Sequence, residues 1–551
     1  MRGLQTPRRY QVTSIPLGLG KVVLGKIKGL DLLPSAKLTS SIGNITLEQS
    51  TGPATYYVSD SENDASDGLW PASPWQTISR ANQGKLNPGD RLLFEGGKTF
   101  TGGLTLRNLV GTAANPVVVG SYGSGRAILR APDGNTPGIF VYNSAYLEIR
   151  NLVLSGVGTA AADGLIAYAD SPGLQHLYVS ELEVSGFAVG INVQSSVNSF
   201  RDVRVTWCTL HDNANTGVFL GGINRGDLAD VYVSHCEAFN HAGERGYGFY
   251  LFHVAAATVE RSVAHDNGGS SSHPQAFAEA DGVTIRHCEA YRTTTAARDA
   301  AGFLIDGGST NCVIEYCYAH DNWGAGFQMT SYAGAGVQFR GNVIRYCVSV
   351  NNGLGVGGYG ESATWPLADS AAYGNTIFAD VSRLAKPLGQ IYLLSYLKNW
   401  GVYNNLVVVK GDLPVVEAWL GSPANTVNAA GNAFWTVGGT PRFQEGGRNH
   451  ASVAAWRGVT GWESFHGKPT GKVGDPLFQS GAYSSEVVGI GEIDSLEEKL
   501  GGWRLQGGSP VIDAGVDLRS LGISPGPPGT DFFGGQTPQG GLYDVGANEV
   551  R

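Results

Sequence analysis

The sequence predicts an all-β protein that folds as a parallel β-helix, a solenoid in which each repeat of the chain forms one coil. Two observations carry this prediction: a repeat of 26 to 30 residues built from short strands, and an unusual composition. Glycine accounts for 80 of the 551 residues, without the three-residue period of collagen, and charged residues for only 15%. With 42% hydrophobic residues, 23 Tyr, 20 Phe and 11 Trp, the chain can fill a large core, which argues against disorder.

Cysteine positions reveal the repeat. Five of the six cysteines, at 208, 236, 288, 317 and 347, are separated by 28, 52, 29 and 30 residues, and Ser262 divides the interval of 52 into two of 26. Two leucines extend this register backward, which gives Leu152, Leu182, Cys208, Cys236, Ser262, Cys288, Cys317 and Cys347. Three residues before each of these stands a β-branched residue: Ile149, Val179, Val205, Val233, Val259, Ile285, Ile314 and Ile344. Each period therefore predicts a short alternating strand, a bend and one more inward residue.

A period of this length without an amphipathic helix is typical of a parallel β-helix. Equivalent residues of neighbouring coils then stack about 4.8 Å apart. We therefore expect the cysteines to form an internal ladder of small buried side chains. Disulfides or a metal site are the less favoured alternatives.

Three His-Asp-Asn triplets follow the repeat, at 211–213, 265–267 and 320–322. Asparagine suits a stacked turn because it tolerates left-handed backbone and its amide can bond to the next coil. The triplets recur in alternate coils, about 10 Å apart, which is too far to share one metal ion. Arg292 falls in the register of Asp266 and Asp321, which predicts a stabilising surface ladder rather than a catalytic group.

The N-terminal segment differs from the repeat region. Residues 1–47 contain seven Lys or Arg and one acidic residue, Asp31, a local charge of +6 in a chain of net charge −9. We expect residues 1–54 to form an arm for attachment or assembly, with a poorly ordered leader as the alternative. The segment lacks the apolar run and small-residue cleavage site of a signal peptide. Synthesis in a reducing cytoplasm is therefore expected.

Changes in turn composition divide the remaining chain into three further parts. They are a cap with the first coils at 55–135, β-helix coils at 136–436, and C-terminal coils with a closing segment at 437–551.

Short motifs at both ends of the repeat region resemble the right-handed parallel β-helix proteins. On the N-terminal side they are YYVS at 56–59, PWQT at 74–77, PGDRLLFEGG at 88–97 and NPVVVGSYG at 115–123. On the C-terminal side they are DPLF at 475–478, WRLQ at 503–506, SPVIDAG at 509–515 and DVGANE at 544–549. The resemblance covers about residues 56–551 and implies a right-handed parallel β-helix.

The resemblance also implies a substrate class. Proteins of this family are above all carbohydrate-active, chiefly polysaccharide lyases and glycoside hydrolases, and phage tailspikes share the architecture. A polysaccharide substrate is thus implied and, by analogy with tailspikes, a homotrimer. The shared motifs are structural, so no catalytic residue is carried over. The stretch LPSAKL at 33–38 also resembles linkers of phage tail fibres.

Candidate acid/base residues lie on a strip of strands in consecutive repeats. If Phe303 and Ile305 point inward, Asp306 points outward, and Glu279 and Asp281 share a face of the preceding coil. Hydrolysis of a glycosidic bond needs two carboxyl groups, about 5 Å apart for retention or ~6.5–9.5 Å for inversion. These three residues are therefore the candidates for a hydrolase, with solvated turn carboxylates as the alternative.

Elimination from a uronic acid needs other groups: one that neutralises the sugar carboxylate and a base that takes the C5 proton. Arg245, Tyr250 and His253 lie in the same strip and could supply them. Long turn insertions predicted at 268–275 and 353–375 would wall the groove. The substrate-binding candidates beside it are Arg298, Trp323, Tyr332 and Trp365. Turn or core packing is the alternative for each aromatic residue.

The sequence lacks the motifs of several other functions. The chain has no nucleophile elbow, no GxxxxGK[ST] and no HExxH, so serine esterase, nucleotide and zincin chemistry have no support. No cofactor is predicted, although acidic residues within 60–67 could ligate calcium without a defined ligand spacing. The net charge disfavours nucleic acid, and no apolar run of about 18 residues predicts a membrane span.

The sequence thus predicts a β-helix that binds and cleaves a polysaccharide, as a lyase or a glycoside hydrolase. Without an export signal, we expect a virion-associated depolymerase of the phage tailspike kind, attached through residues 1–54. The alternatives are a secreted polysaccharide lyase and a non-catalytic β-helix that only binds glycan or serves a structural role.

Overall fold

The structure is a computed structural model. It describes residues 10–12, 47–49, 52–61, 63–158, 161–197, 200–241, 246–268, 275–295, 300–332, 334, 336–420, 425–480, 482–523, 529–539 and 541–550. Within these ranges the chain forms a solenoid of stacked parallel strands, as the repeat predicted. Each coil contributes one strand to each of three long sheets, which we call the front, second and third sheets.

The front sheet contains 14 strands, and only its last pairing is antiparallel. In spatial order the strands are Leu104–Arg107, Ile139–Tyr142, Leu165–Ala169, Val189–Ser195, Thr216–Gly222, Tyr247–Phe252, Gln275–Ala278, Phe303–Asp306, Ala325–Ser331, Leu354–Gly360, Ile391–Ser395, Pro414–Trp419, Arg442–Glu445 and Arg448–His450.

The second sheet is formed by Thr55–Val58, Arg91–Glu95, Val117–Tyr122, Leu147–Ser155, Leu174–Ser185, Phe200–Thr206, Leu228–Ser234, Val254–Glu260, Asp281–Arg286, Val313–Glu315, Val343–Arg345, Ala371–Tyr373, Trp400–Tyr403 and Val427–Ala430. The third sheet is formed by Thr99–Thr101, Ala127–Arg130, Thr209–His211, Glu237–Phe239, Val263–His265, Glu289–Tyr291, Tyr318–His320, Val348–Val350, Thr376–Asp380, Leu406–Lys410, Ala433–Val437 and Lys472–Val473. The long strands Leu147–Ser155 and Leu174–Ser185 continue from the second sheet into the third.

Few other elements accompany the three sheets. The short α-helices are Ile78–Ala81, Val453–Thr460 and Leu496–Lys499, and the 3-10 helices are Val381–Arg383, Ile490–Ser495, Leu500–Trp503 and Leu518–Leu521. Three small sheets pair Tyr10–Val12 with Leu47–Gln49, Leu367–Ala368 with Leu397–Lys398, and Ser464–Phe465 with Lys468–Pro469. No helix among the described residues is long and apolar enough to cross a membrane.

Strand register confirms the repeat. Ile149 pairs with Val179, and the column continues through Val205, Val233, Val259, Ile285, Ile314 and Ile344. All of these side chains are at most 1% exposed, so the β-branched residues fill the core because each coil repeats the same inward position.

The cysteines are free and buried, as predicted. Beyond Cys347 their column continues as Asn375, Asn405 and Asn432. Each of these amides accepts a hydrogen bond from the backbone N–H of the preceding member at 2.9–3.1 Å. Buried Glu463 ends the ladder, because it accepts from the backbone and side-chain N–H groups of Asn432.

The histidines of the His-Asp-Asn triplets take part in a column of stacked rings. Successive ring centroids are 4.7–5.2 Å apart along His211, Phe239, His265, Tyr291 and His320. Beside this column, the guanidinium of Arg292 donates two hydrogen bonds to Asp266, at 2.7 and 2.5 Å. The predicted pair of Arg292 with Asp266 is therefore present, whereas Asp321 pairs with Arg383 at 3.4 Å.

The prediction that residues 353–375 form a turn insertion is wrong for much of this range. The structure places Leu354–Gly360 in the front sheet and Ala371–Tyr373 in the second sheet. Glycines in this strand pack closely against the core, since a Cβ on Gly358 would lie 3.2 Å from the ring of Trp400. The other predicted wall, 268–275, falls mostly outside the described residues.

Candidate functional site

The candidate site lies at one corner of three successive coils. His253, Glu279 and Gly307 each follow a strand of the front sheet, and the residues before the last two, Ala278 and Asp306, are paired in register. Their backbones are left-handed, with φ of 57°, 50° and 60°. Other corners of the solenoid repeat this conformation. It is therefore part of the architecture and brings equivalent side chains of adjacent coils together.

Glu279 contacts two neighbours at this corner. Its Oε2 lies 2.9 Å from Nε2 of His253, and its Oε1 accepts a 3.1 Å hydrogen bond from the hydroxyl of Tyr332. The side chains of His253 and Glu279 are 18% and 14% exposed. The pair is thus sheltered from bulk water but still reaches the surface.

The partner of the second ring nitrogen of His253 shows how many protons the imidazole and the Glu279 carboxyl carry between them. Nδ1 lies 3.2 Å from the carbonyl oxygen of Gly222, and a carbonyl only accepts, so Nδ1 carries a hydrogen. The contact between Nε2 and Glu279 then requires one more proton, on either the imidazole or the carboxyl. The pair therefore shares a proton, as a general acid/base group does.

Tyr332 is held as a neutral donor. Burial raises the pKa of its hydroxyl, and the charges of Asp306 and Glu279 raise that pKa further. Its ring packs on Gly307, where a Cβ would come within 3.0 Å of the ring and the hydroxyl oxygen. Glycine at 307 therefore provides both the left-handed turn and the space for Tyr332.

Asp306 is the second carboxylate at this corner. It ends the strand Phe303–Asp306, whose Phe303 and Ile305 are fully buried, so Asp306 points outward as the alternation predicted. Its backbone pairs with that of Ala278, the residue before Glu279, so the two carboxyls come from adjacent coils, whose strands lie about 4.8 Å apart. Two carboxyl groups are what glycoside hydrolysis requires. We call the following four residues the acid/base cluster: His253, Glu279, Asp306 and Tyr332.

Asp281 lies around the corner from the cluster. It begins the strand Asp281–Arg286 of the second sheet, and its Oδ1 accepts hydrogen bonds from Thr310 at 2.5 Å and from Asn311 at 3.1 Å. Glu279 and Asp281 therefore do not share a face, contrary to the alternation assumed from the sequence. The left-handed backbone of Glu279 turns the chain between them.

A groove of about 400 Å³ adjoins the cluster on its N-terminal side. We call it the aromatic groove, and it is lined by Val189, Asn192, Gln194, Asn215, Thr216, Phe219, Tyr247 and Tyr250.

Aromatic rings connect this groove with the cluster. The centroids of Tyr247 and Tyr250 are 4.6 Å apart, those of Tyr250 and Phe252 6.2 Å, and those of Phe252 and His253 4.0 Å. The structure thus places Tyr250 in the wall of the groove, whereas His253 contacts Glu279.

The remaining predicted site residues lie in different places. Arg245 and Arg298 are outside the described residues. Trp323 is half-buried, and its backbone N–H donates to the hydroxyl of Thr293 at 2.8 Å. The backbone carbonyl of Trp365 accepts a 2.8 Å hydrogen bond from Ser331, next to Tyr332. Of the four substrate-binding candidates, Tyr332 is the one that the described part of the chain places in the acid/base cluster, through its bond to Glu279.

In the acidic segment at 60–67, the side chain of Asp64 binds the neighbouring backbone. Asp64 accepts hydrogen bonds from the backbone of Gln76 at 2.8 Å and from the backbone and hydroxyl of Thr77 at 3.0 and 2.7 Å. Within the described ranges, no group of three or more His, Cys, Asp and Glu side chains could hold a metal ion. Nothing there supports the calcium site considered from the sequence.

Sequence reasoning missed the polar wall of the groove. Asn192 pairs with Phe219 and Phe219 with Tyr250, so the three occupy one outward column. Because Val218 and Leu220 on either side of Phe219 are fully buried, the column could be found only after the coils were aligned.

A second cavity, of about 340 Å³, lies on the second sheet and is lined partly by Arg345, Asp369 and Tyr373. The guanidinium of Arg345 is bound to Glu315 at 2.8 and 2.5 Å and to the hydroxyl of Tyr373 at 3.1 Å. Its charge is therefore compensated within the fold, which makes this cavity a weaker candidate than the groove.

A family model described as the right handed beta helix region matches residues 189–376. The match contains both the aromatic groove and the acid/base cluster. Together with the stacked parallel sheets, it shows that the protein is a right-handed parallel β-helix, as the sequence predicted. None of the curated proteins matches the chain.

Solved structures similar to this one include a GH136 lacto-N-biosidase from Eubacterium ramulus. Its selenomethionine derivative is 17% identical with a TM-score of 0.50, over 63% of this chain and 67% of that chain. For the native protein the values are 18%, 0.50, 61% and 65%, so this chain spans about two thirds of their length. The A-module of the mannuronan C-5 epimerase AlgE4 from Azotobacter vinelandii is 16% identical with a TM-score of 0.45, over 62% and 91%. These likenesses concern the fold alone.

Proposed function

We propose that the protein is a glycoside hydrolase that cleaves a polysaccharide at the acid/base cluster. The observation that carries this proposal is the contact between Nε2 of His253 and Oε2 of Glu279, 2.9 Å apart, with the carboxylate of Asp306 on the next coil. Glycoside hydrolysis uses two carboxyl groups, one protonated and one ionised. The likeness of fold to a lacto-N-biosidase agrees with action on a glycan.

Each member of the cluster has a role in the proposed reaction. Glu279 donates the shared proton to the oxygen of the leaving sugar, and His253 restores that proton. Asp306 either activates a water molecule or attacks the anomeric carbon, and its separation from Glu279 decides which. The protonated hydroxyl of Tyr332 fixes the direction of the Glu279 carboxyl.

Charge favours hydrolysis over elimination. The cluster combines two carboxyl groups with one imidazole, so a uronate carboxylate bound beside it would meet net negative charge. Elimination requires a group that neutralises this carboxylate. Arg245 and Arg298, which the sequence offered for lyase chemistry, lie outside the described residues, so the choice needs an experiment.

The test uses a panel of neutral, N-acetylated and uronate polysaccharides, with E279Q, D306N and the control D281N. We expect new reducing ends without unsaturated-uronate absorbance, and a rate about 100-fold lower or more in E279Q and D306N. The rate of D281N should stay within about twofold of the wild-type rate, because Asp281 lies outside the cluster and accepts hydrogen bonds from Thr310 and Asn311. Unsaturated products would show a lyase instead, and a wild-type rate in E279Q would exclude the cluster from the chemistry.

The setting we propose is the cell exterior or a virion, where such polymers are exposed. Residues 1–54 would then be the attachment arm, and the assembly a homotrimer. Most of this arm lies outside the described residues, and the strands Tyr10–Val12 and Leu47–Gln49 are the described elements of it. A monomer in sedimentation of the full chain at micromolar concentration would contradict a tailspike depolymerase and favour a secreted enzyme.

A further inference from the structure

The aromatic groove has a lining suited to one class of sugar. Its walls combine three rings, two of which are tyrosines, with three side-chain amides, the hydroxyl of Thr216 and one aliphatic residue. None of these lining residues, all within the described ranges, carries a formal charge. Aromatic faces with a few polar groups are what binding sites for uncharged ligands present.

Phe219 forms the floor of this groove. A Cβ on Gly221 would come within 2.7 Å of the Phe219 ring, so the ring lies flat on its own strand. The adjacent ring of Tyr250 has its centroid 5.7 Å from that of Phe219, and Tyr247 stacks on Tyr250 at an interplanar angle of 18°. Together these rings give an extended aromatic platform in the groove.

The polar wall is oriented by the half-buried carboxyl of Asp163. Asn192 donates to Oδ2 of Asp163 at 2.7 Å, and its own amide oxygen accepts from Nε2 of Gln194 at 3.1 Å. This relay directs the amide of Gln194, which can offer its carbonyl oxygen and second N–H to a sugar hydroxyl. Burial raises the pKa of Asp163, although its bond with Asn192 acts in the opposite direction.

The groove and the cluster share one coil. Tyr247 and Tyr250 line the groove, and His253 continues the same strand into the cluster. Phe219 precedes this coil and Glu279 follows it, so groove and cluster are about two coils, or ~10 Å, apart along the solenoid axis. A glycan chain lying along that axis would occupy both at once.

We propose that the aromatic groove binds an uncharged pyranose of the glycan whose bond lies at the acid/base cluster. This rests on the proposed function only in taking a glycan as the ligand. The sugar stacks on Phe219 and Tyr250 and bonds to Gln194. A uronate is disfavoured, because no cation among the described lining residues would pair with its carboxylate.

The test measures binding separately from cleavage, by titration calorimetry of the full chain carrying E279Q. The probes are hexasaccharides of neutral glucan, mannan and galactan, N-acetylhexosamine oligomers, and oligogalacturonate and oligomannuronate. We expect a neutral or N-acetylated oligomer to bind, and F219A or Q194A to weaken that binding about tenfold. W207A, which removes an exposed ring that follows the strand Phe200–Thr206 of the second sheet, should leave the affinity within about twofold.

G221A gives a second variant, which displaces the Phe219 ring while keeping its chemistry, and it should weaken binding as F219A does. The inference is overturned if only uronate oligomers bind, if no neutral or N-acetylated oligomer binds, or if the groove variants bind like W207A. Binding that depends on the groove, without hydrolysis by the unsubstituted protein, would instead refute the proposed function and leave the groove assignment intact.

Discussion

The ring of Tyr332 lies on the backbone of Gly307, so closely that a Cβ at residue 307 would meet its ring atoms at 3.0 Å. Because the hydroxyl of Tyr332 donates to Glu279, this contact determines where the carboxyl points. We expect G307A to displace Tyr332 and to lower cleavage at least tenfold, as loss of an oriented donor does. The measurement is kcat on the substrate identified by the panel.

The control for this variant is G282A. Gly282 has nearly the same φ, 63°, but the nearest atom to its Cβ would be 4.0 Å away. Both alanines should cost about 1–2 kcal/mol of stability for left-handed backbone. Only G307A should affect cleavage, and equal losses of activity in the two variants would contradict the role given to Tyr332.

Removal of the Tyr332 hydroxyl alone gives a second prediction. Y332F keeps the ring on Gly307 but deprives Oε1 of Glu279 of its donor, so kcat should fall about tenfold with stability nearly unchanged. Y359F, on an outward position of the same sheet, serves as the control. A normal rate in Y332F would mean that the ring, rather than the hydroxyl, positions Glu279.

Much of the fold could be predicted because a solenoid repeats its inward positions. Ile149 and Ile344 lie almost 200 residues apart yet belong to one column, since each coil must fill the same core. The strand Leu354–Gly360 escaped prediction for the opposite reason: glycines replace its usual inward and outward side chains, so the alternation disappears from the sequence.

The site could be predicted only within one strand. Alternation from Phe303 and Ile305 correctly placed Asp306 outward. It failed between Glu279 and Asp281, because left-handed backbone at Glu279 breaks the period of two. The partnership of His253 with Glu279 depends on which coils are adjacent, and 26 residues of chain separate the two.

Glu289 anchors the C-terminal segment to the solenoid. It is fully buried and accepts hydrogen bonds from the backbone of Val488 at 2.9 Å and Gly489 at 2.6 Å, and lies 3.1 Å from Nε2 of His320. E289Q removes the charge from this buried group, so we expect a loss of about 3–5 kcal/mol in the free energy of unfolding. Denaturant unfolding and hydrogen exchange at Val488 and Gly489 measure it.

The matched control is E237Q. Glu237 and His265 form the same pair two coils earlier, at 3.3 Å, but their side chains are 21% and 12% exposed. Solvent weakens such a pair, so E237Q should cost less than about 1 kcal/mol. Equal costs in E289Q and E237Q would show that Glu289 does not hold the C-terminal segment.

His320 gives this anchor a pH dependence. Burial alone would lower the pKa of His320, but hydrogen bonds to Asp321 and Glu289 outweigh burial and raise it. A histidine whose folded pKa is raised stabilises the protein below about pH 6.5, and this contribution is lost as pH rises through the folded pKa. H320Q should therefore lose more stability at pH 5.5 than at pH 9, whereas an equal loss at both would contradict a protonated His320.

The buried carboxyl of Glu463, at the end of the asparagine ladder, predicts a second loss of stability as pH rises. Burial raises the pKa of Glu463 to about 7, although hydrogen bonds from Asn432 and Thr470 oppose this rise. Since the unfolded carboxyl ionises near 4.5, the free energy of unfolding should fall between about pH 4.5 and 7, by up to ~3 kcal/mol from this group. E463Q cannot ionise, so denaturant unfolding at pH 5 and pH 8 should show a smaller decline than in wild type. The half-exposed control E445Q should keep the wild-type decline, and an unchanged decline in E463Q would mean that Glu463 is ionised throughout this range.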